Sequence, residues 1–180
     1  MATVFSHAIV GFAISAAAPA AGTRARLALA AALCAVVPDV DVLTLSMGIR
    51  WGHVLGHRGL THSLLFAAVL AALVVAVAFR GRARGGGYVR LWLVLFAATA
   101  SHGVLDAMTD GGIGVAFLAP WDRTRYFLPW RPIPVSPIGF ERFFSGRGLE
   151  IMRAEVLLIW IPTAVALLIG VGLRRRRRRG

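Results

Sequence analysis

Five apolar runs set the rhythm of the chain: residues 4–20, 27–37, 63–79, 91–108 and 154–173. Each is too long and too continuous for the alternation of a half-buried strand, and the longer ones suit helices in lipid. Between them lie stretches rich in Gly, Pro and Arg. The pattern predicts an all-α protein, a polytopic membrane helix bundle of about five transmembrane helices. Residues 1–173 read as one membrane-embedded domain, with an irregular outer loop over 109–150 and a basic tail over 174–180. Pro38 stops the second run, because proline disfavours helical geometry in the residue before it. That run supplies about 14 helical residues, or roughly 21 Å, short of a ~30 Å hydrocarbon core. Residues 42–61 read as a loop with one short helix, and Pro162 as a kink in the last helix. The first run ends in Ala and Pro, as a signal peptide does. The basic leader segment is missing and Ser6-His7 interrupts its start, which favours a retained helix.

Composition agrees with the pattern. The hydrophobic share of 58% and mean hydropathy of +0.73 are too high for an ordinary soluble domain. The formal charge is +12 and all 20 basic residues are Arg, a usage that suggests a GC-rich bacterial genome. Such charge can signal nucleic acid, but here no reading motif accompanies it. Arginines instead cluster at Arg24/Arg26, Arg80–Arg90 and Arg174–Arg179, between or after apolar runs. The positive-inside rule puts these segments in the cytoplasm, facing anionic headgroups. The expectation is a bacterial cytoplasmic (inner) membrane protein with its N-terminus out and its C-terminus in. The lone Cys34 forms no intrachain disulfide and lies in an apolar helix.

That topology sorts the polar residues. His7, Asp39, Asp41, His53, His57, His62, His102 and Asp106 all fall towards the outer leaflet. Ionisable residues at membrane depth are costly and mark function by default. The stretch His57-Arg58-Gly59-Leu60-Thr61-His62-Ser63 concentrates imidazoles, the commonest protein ligands for zinc and similar metals. His102 and Asp106 are one helical turn apart on one face, so one helix offers a nitrogen and an oxygen together. Taken singly, each has a plainer reading: a hydrogen-bonded His–Asp couple, a helix-ending Asp pair, a solvated loop. Together on one membrane face they point to a metal site. A metal or proton transporter could use the same cluster, but the inner halves of the helices are nearly all Ala, Leu and Val. In 109–150, Trp121, Tyr126, Phe127, Trp130, Phe140, Phe143 and Phe144 suit the membrane interface, as a pocket wall or a passive loop.

His7, Pro38-Asp39-Val40-Asp41, the HRGLTHS stretch and His102-x-x-x-Asp106 resemble the YdjM-type family. Those are bacterial inner-membrane proteins described as metal-dependent hydrolases. The order His, Asp, His, HisxxxAsp is also similar to the zinc-dependent phospholipase C and P1 nuclease superfamily. The resemblance implies zinc-assisted hydrolysis of a phosphoester, a lipid among the candidate substrates. It implies a divalent metal held by His62, His102, Asp106 and Asp39, with His7 serving a second ion bridged by Asp106. Asp41 and His57 would be alternative ligands or supports, and His53 a rim residue. Asp39 or Asp41 would take a proton from water, and Arg58 would neutralise a phosphate or tether its loop. Unlike that superfamily, this chain has no histidine after His102, which implies one or two ions rather than three.

Overall fold

A computed structural model describes residues 1–16, 18, 23–137 and 147–177. Phe140, Glu141, Phe143, Phe144, Arg178 and Arg179 lie outside the described residues, as does the end of the first apolar run. The helices are α1 (Val4–Ala16), α2 (Arg24–Cys34), α3 (Val42–Ser46), α4 (Leu64–Ala78), α5 (Gly86–Ala107), α6 (Arg147–Glu155) and α7 (Ile161–Arg177). Short 3-10 helices cover Val37–Asp41 and Leu60–His62, and a π turn over Val156–Trp160 joins α6 to α7. Among the described residues there is no strand, only two isolated bridges, Thr109 with Ile133 and Val115 with Tyr126. The chain is an all-helical membrane protein.

Among the described residues, three helical stretches have the length and apolarity to cross a bilayer: Arg24–Ser46, Gly86–Ala107 and Arg147–Arg174. They correspond to the second, fourth and fifth of the about five spans expected from the sequence. α1 and α4, with 13 and 15 residues, are shorter apolar helices. At 1.5 Å per residue they reach only ~20 Å and ~22 Å. α1 carries the buried His7 in its first turn, and α4 begins two residues after the buried His62. α5 starts five residues before the expected boundary, so Arg90 is helical rather than in the turn. The break falls at Gly85, whose φ of +49° admits glycine more readily than other residues. The last helix begins at Arg147, not 154, and its irregularity is the π turn just ahead of Pro162.

The helices alternate in direction. Arg26 of α2 donates to the Ala78 carbonyl at 2.8 Å, and Arg174 of α7 donates to the Ala16 carbonyl at 3.1 Å. The C-terminal ends of α1, α4 and α7 therefore meet the start of α2, and this end carries the arginines. Next to it lies an apolar core of Leu27, Ala31, Val75, Phe79, Leu91 and Leu95. α1 packs closely on α2 because Gly11 has no side chain. A Cβ there would stand 2.6 Å from the Ala31 carbonyl and 2.7 Å from the Ala35 Cβ. The opposite end holds the start of α1, the Val37–Asp41 turn, the start of α4 and the end of α5.

Candidate metal centre

At that opposite end the polar residues converge. Pro38 at the start of its 3-10 turn breaks the helix and swings Asp39 and Asp41 into the bundle. Ser63 caps α4 by accepting the Phe66 amide at 3.1 Å, which fixes His62 directly before the helix. On α5, Thr99, His102, Gly103 and Asp106 form one buried stripe at helical spacing.

One ligand atom from each of Asp39, His62, His102 and Asp106 lies within 4.8 Å of the others. His102 Nε2 is 3.0 Å from His62 Nε2 and 3.3 Å from Asp39 Oδ1. Asp106 Oδ2 is 3.5 Å from His62 Nε2 and 3.9 Å from His102 Nε2. Tetrahedral ligands at the usual 2.0–2.2 Å from zinc would be roughly 3.3–3.6 Å apart. The donor set fits that cage.

The outer partners orient the rings. His102 Nδ1 lies 2.7 Å from the Ala35 carbonyl, which can only accept, so Nδ1 carries the hydrogen and Nε2 faces the cluster with its lone pair. His62 Nδ1 lies 3.1 Å from Asp41 Oδ2, which does the same for that ring. Two lone pairs 3.0 Å apart repel unless a proton or cation sits between them. The buried Asp39 oxygens receive no hydrogen bond, and Asp106 Oδ2 faces the Arg58 Nε at 3.1 Å. Unbonded buried oxygens are rare in folded proteins and call for a partner. Burial favours neutral His62, but hydrogen bonds to Asp106 and Asp41 outweigh it and raise the imidazole to about 9.

The other expected residues take distinct places. His7 is fully buried, stacked on His102 with ring centroids 3.7 Å apart, and its Nε2 is 3.6 Å from Asp106 Oδ1. It stands beyond Asp106, outside the four-residue cage, and neither ring nitrogen has a hydrogen bond. His57 belongs to a second trio with Asp41 and His62. Its Nδ1 contacts Asp41 Oδ1 at 2.7 Å. Asp41 Oδ2 also accepts from Thr61 Oγ1 at 2.5 Å and the Arg58 amide at 3.2 Å. Four donors face its two oxygens, three of them on Oδ2, so Asp41 holds its neighbours together. Arg58 is buried, with a backbone φ of +61°. Its Nε is 3.1 Å from Asp106 Oδ2, and its terminal nitrogens donate to Thr109 Oγ1 at 2.9 Å and the Gly111 carbonyl at 3.0 Å. Of its two expected roles, the contacts are those of a tether. His53 is exposed, and its Nδ1 accepts the Leu55 amide.

The described part of the 109–150 segment lies against the histidine loop. The Ala116 amide donates to the Arg58 carbonyl at 3.1 Å, and the Leu64 amide to the Phe117 carbonyl at 3.0 Å. Trp121 and Trp130 remain exposed, 78% and 64%, as interfacial residues do. Two further buried or bonded polar positions were not anticipated. Arg125 donates to the carbonyls of Trp51, His53, His57 and Arg58 and so gathers the loop. Glu155 is fully buried at the end of α6. A lone acid just inside an apolar run is the signal that could have found it.

The YdjM inner membrane protein family matches residues 1–178. The chain belongs to the YdjM inner membrane protein family. The inner membrane protein YbcI of Escherichia coli (strain K12) is 39% identical over 178 residues, covering 98% of this chain and 100% of that protein. No solved structure matches. In this YdjM family member, every motif from His7 to Asp106 meets at one end of the bundle.

Proposed function

We propose that this YdjM family member is a membrane-bound metal-dependent hydrolase acting on a phosphoester, with lipid headgroups as the nearest source of substrate. The observation that carries the reading is the buried cage itself: two imidazole nitrogens 3.0 Å apart, with the Asp106 carboxylate and the unbonded oxygens of Asp39 around them. His62, His102, Asp106 and Asp39 would hold one ion, and His7 with the far oxygen of Asp106 would serve a second. Mixed imidazole and carboxylate donors suit zinc. When bound, zinc supplies a water of pKa ~7 and polarises a phosphoryl oxygen.

The chain's own residues do the rest. Asp41 and the Ala35 carbonyl fix the two ring orientations. Asp39 is the acid able to take a proton, since its oxygens accept no hydrogen bond, whereas Asp41 faces four donors and Asp106 is paired with Arg58. Arg58 neutralises Asp106 and ties the loop to Thr109 and Gly111, so an incoming phosphate would find it engaged. The order of ligands, similar to the zinc-dependent phospholipase C and P1 nuclease superfamily, supports the phosphoester. The arginine-rich end belongs in the cytoplasm by the positive-inside rule, which puts the cage and the N-terminus outside.

The test is metal content of the detergent-purified chain, compared with His102→Ala and Asp106→Ala, followed by phosphodiester and phosphomonoester substrates. Wild type should hold metal and cleave; both variants should lose the metal. Equal metal content in the three proteins removes the assignment. Metal without hydrolysis, but with ion flux in proteoliposomes, makes it a transporter.

A further inference from the structure

The cage leaves one fully buried acid unused. Glu155 ends α6, more than 40 residues after Asp106 in the chain. Its Oε1 accepts the Thr3 amide at 2.6 Å, and its Oε2 accepts the hydroxyls of Thr3 and of Ser6, the latter at 2.6 Å. Ser6 Oγ in turn accepts Trp160 Nε1 at 2.8 Å. Among the described residues, no arginine or histidine pairs with Glu155.

Two features make this more than a buried hydrogen bond. Thr3 directly precedes α1, where amides lack intrahelical partners and the helix dipole favours negative charge. Glu155 thus caps α1 from a different helix. The π turn is the second feature. In an α-helix, residues five apart point about 140° away from each other. The wide turn over Val156–Trp160 bonds i to i+5 instead, so Glu155 and Trp160 both reach Ser6.

The capped segment leads straight to the cage. The Ala2 amide donates to Asp106 Oδ1 at 2.9 Å, and His7 stands 3.6 Å from the same oxygen while stacking on His102. The Met1 carbonyl accepts the Ser136 amide at 2.9 Å, which holds the other side of this segment. We infer that Glu155, aided by Trp160, is a positioning residue for the metal centre: it docks residues 2–7 so that the Ala2 amide and His7 fix Asp106. This rests on the cage being a metal centre.

The experiment measures zinc affinity of the full chain in detergent, by competition with a chromophoric chelator. Hydrogen exchange at residues 2–7 is followed in parallel. Partners that orient a ligand are worth roughly 10- to 100-fold in metal affinity, so Glu155→Ala should weaken zinc by at least tenfold and speed exchange at 2–7. Glu155→Gln keeps an oxygen for the Thr3 amide and should stay within a few-fold of wild type. Leu91→Ala, in the apolar core near the arginine end, lowers stability without touching this network and should bind zinc normally. Trp160→Phe, which removes only the Nε1 donor, carries the test if Glu155→Ala fails to fold; its zinc affinity should fall a few-fold. A wild type that binds no zinc overturns the centre and this inference with it. A zinc-binding wild type matched by Glu155→Ala, or by Trp160→Phe in its place, overturns the inference alone. A Glu155→Ala loss no larger than that of Leu91→Ala does the same.

Discussion

Asp41→Asn separates holding an ion from orienting its ligands. Asp41 Oδ1 faces His57 Nδ1 at 2.7 Å, while Oδ2 receives His62 Nδ1 at 3.1 Å, Thr61 Oγ1 at 2.5 Å and the Arg58 amide at 3.2 Å. Asparagine offers one acceptor oxygen where the carboxylate offers two. Its NH₂ must then face the His57 nitrogen or the three donors around Oδ2. Facing the three donors, the NH₂ takes the acceptor from His62. Facing His57, it requires the other tautomer of that ring and leaves His62 a neutral carbonyl in place of a carboxylate, so His62 is held less firmly either way. Outer hydrogen-bond partners of metal ligands are worth roughly 10- to 100-fold in affinity, about 1.4–2.7 kcal/mol. The expected result is full zinc stoichiometry with affinity reduced by that factor. Asp106→Ala, by contrast, should bind less than the full complement at any practical concentration. Stoichiometry by elemental analysis and affinity by chelator competition read the two quantities separately. Unchanged affinity in Asp41→Asn would refute the orienting role. Metal loss as complete as in Asp106→Ala would make Asp41 a ligand.

Three further outcomes are expected. Zinc uptake should release protons and tighten as pH rises towards about 9, because the ion displaces the proton on His62. The folded-state pKa lies above the unfolded 6.5, so in the metal-free chain the His62 contribution to stability is full below pH 6.5 and fades as pH rises through 9. Thermal melts of the apo chain across pH 6 to 9.5 check this, and a flat profile speaks against it. Gly59→Ala should cost about 1–3 kcal/mol and detach the histidine loop. Its Cβ would stand 2.2 Å from the Val54 carbonyl and 2.7 Å from that of Gly56, neither able to retreat cheaply; an unshifted melting curve would refute the crowding. Cys34 is buried and gives little labelling background. A membrane-impermeant maleimide on intact cells should therefore label Arg123→Cys and spare Arg82→Cys. The reverse pattern would invert the topology.

What could be read from the chain depended on whether a feature was local. Apolar runs and the i, i+4 spacing of His102 and Asp106 are properties of one helix, and the helices and their stripe follow from them. Pro38 announced that the neighbouring carboxylates sit at a helix end. The division of labour between Asp39 and Asp41 was hidden, because it depends on donors sent from the 57–62 loop. Arg125 was hidden for a similar reason: its carbonyl partners lie in a loop with no periodicity to mark them. The early start of α5 at Gly86 ran against propensity, since glycines at a helix start look like a turn. Glu155 was visible as an acid in an apolar context, but its partners are some 150 residues earlier.

The direction of the peptide chain gives the buried cage an order of assembly. Asp39 and Asp41 leave the ribosome some 65 residues before Asp106, which at 5–20 residues per second is roughly 3–13 s. For roughly the first third of that interval two acids at the tip of a young hairpin have neither imidazole partners nor the Arg58 amide, and Asp39 waits for His102 until nearly its end. They must rest in water or headgroups, and α2 is free to slide until the 57–62 loop and α5 arrive. The last helix then brings Glu155 to a first helix made long before, so the membrane must keep the ends of the chain within reach of each other while everything between them is inserted.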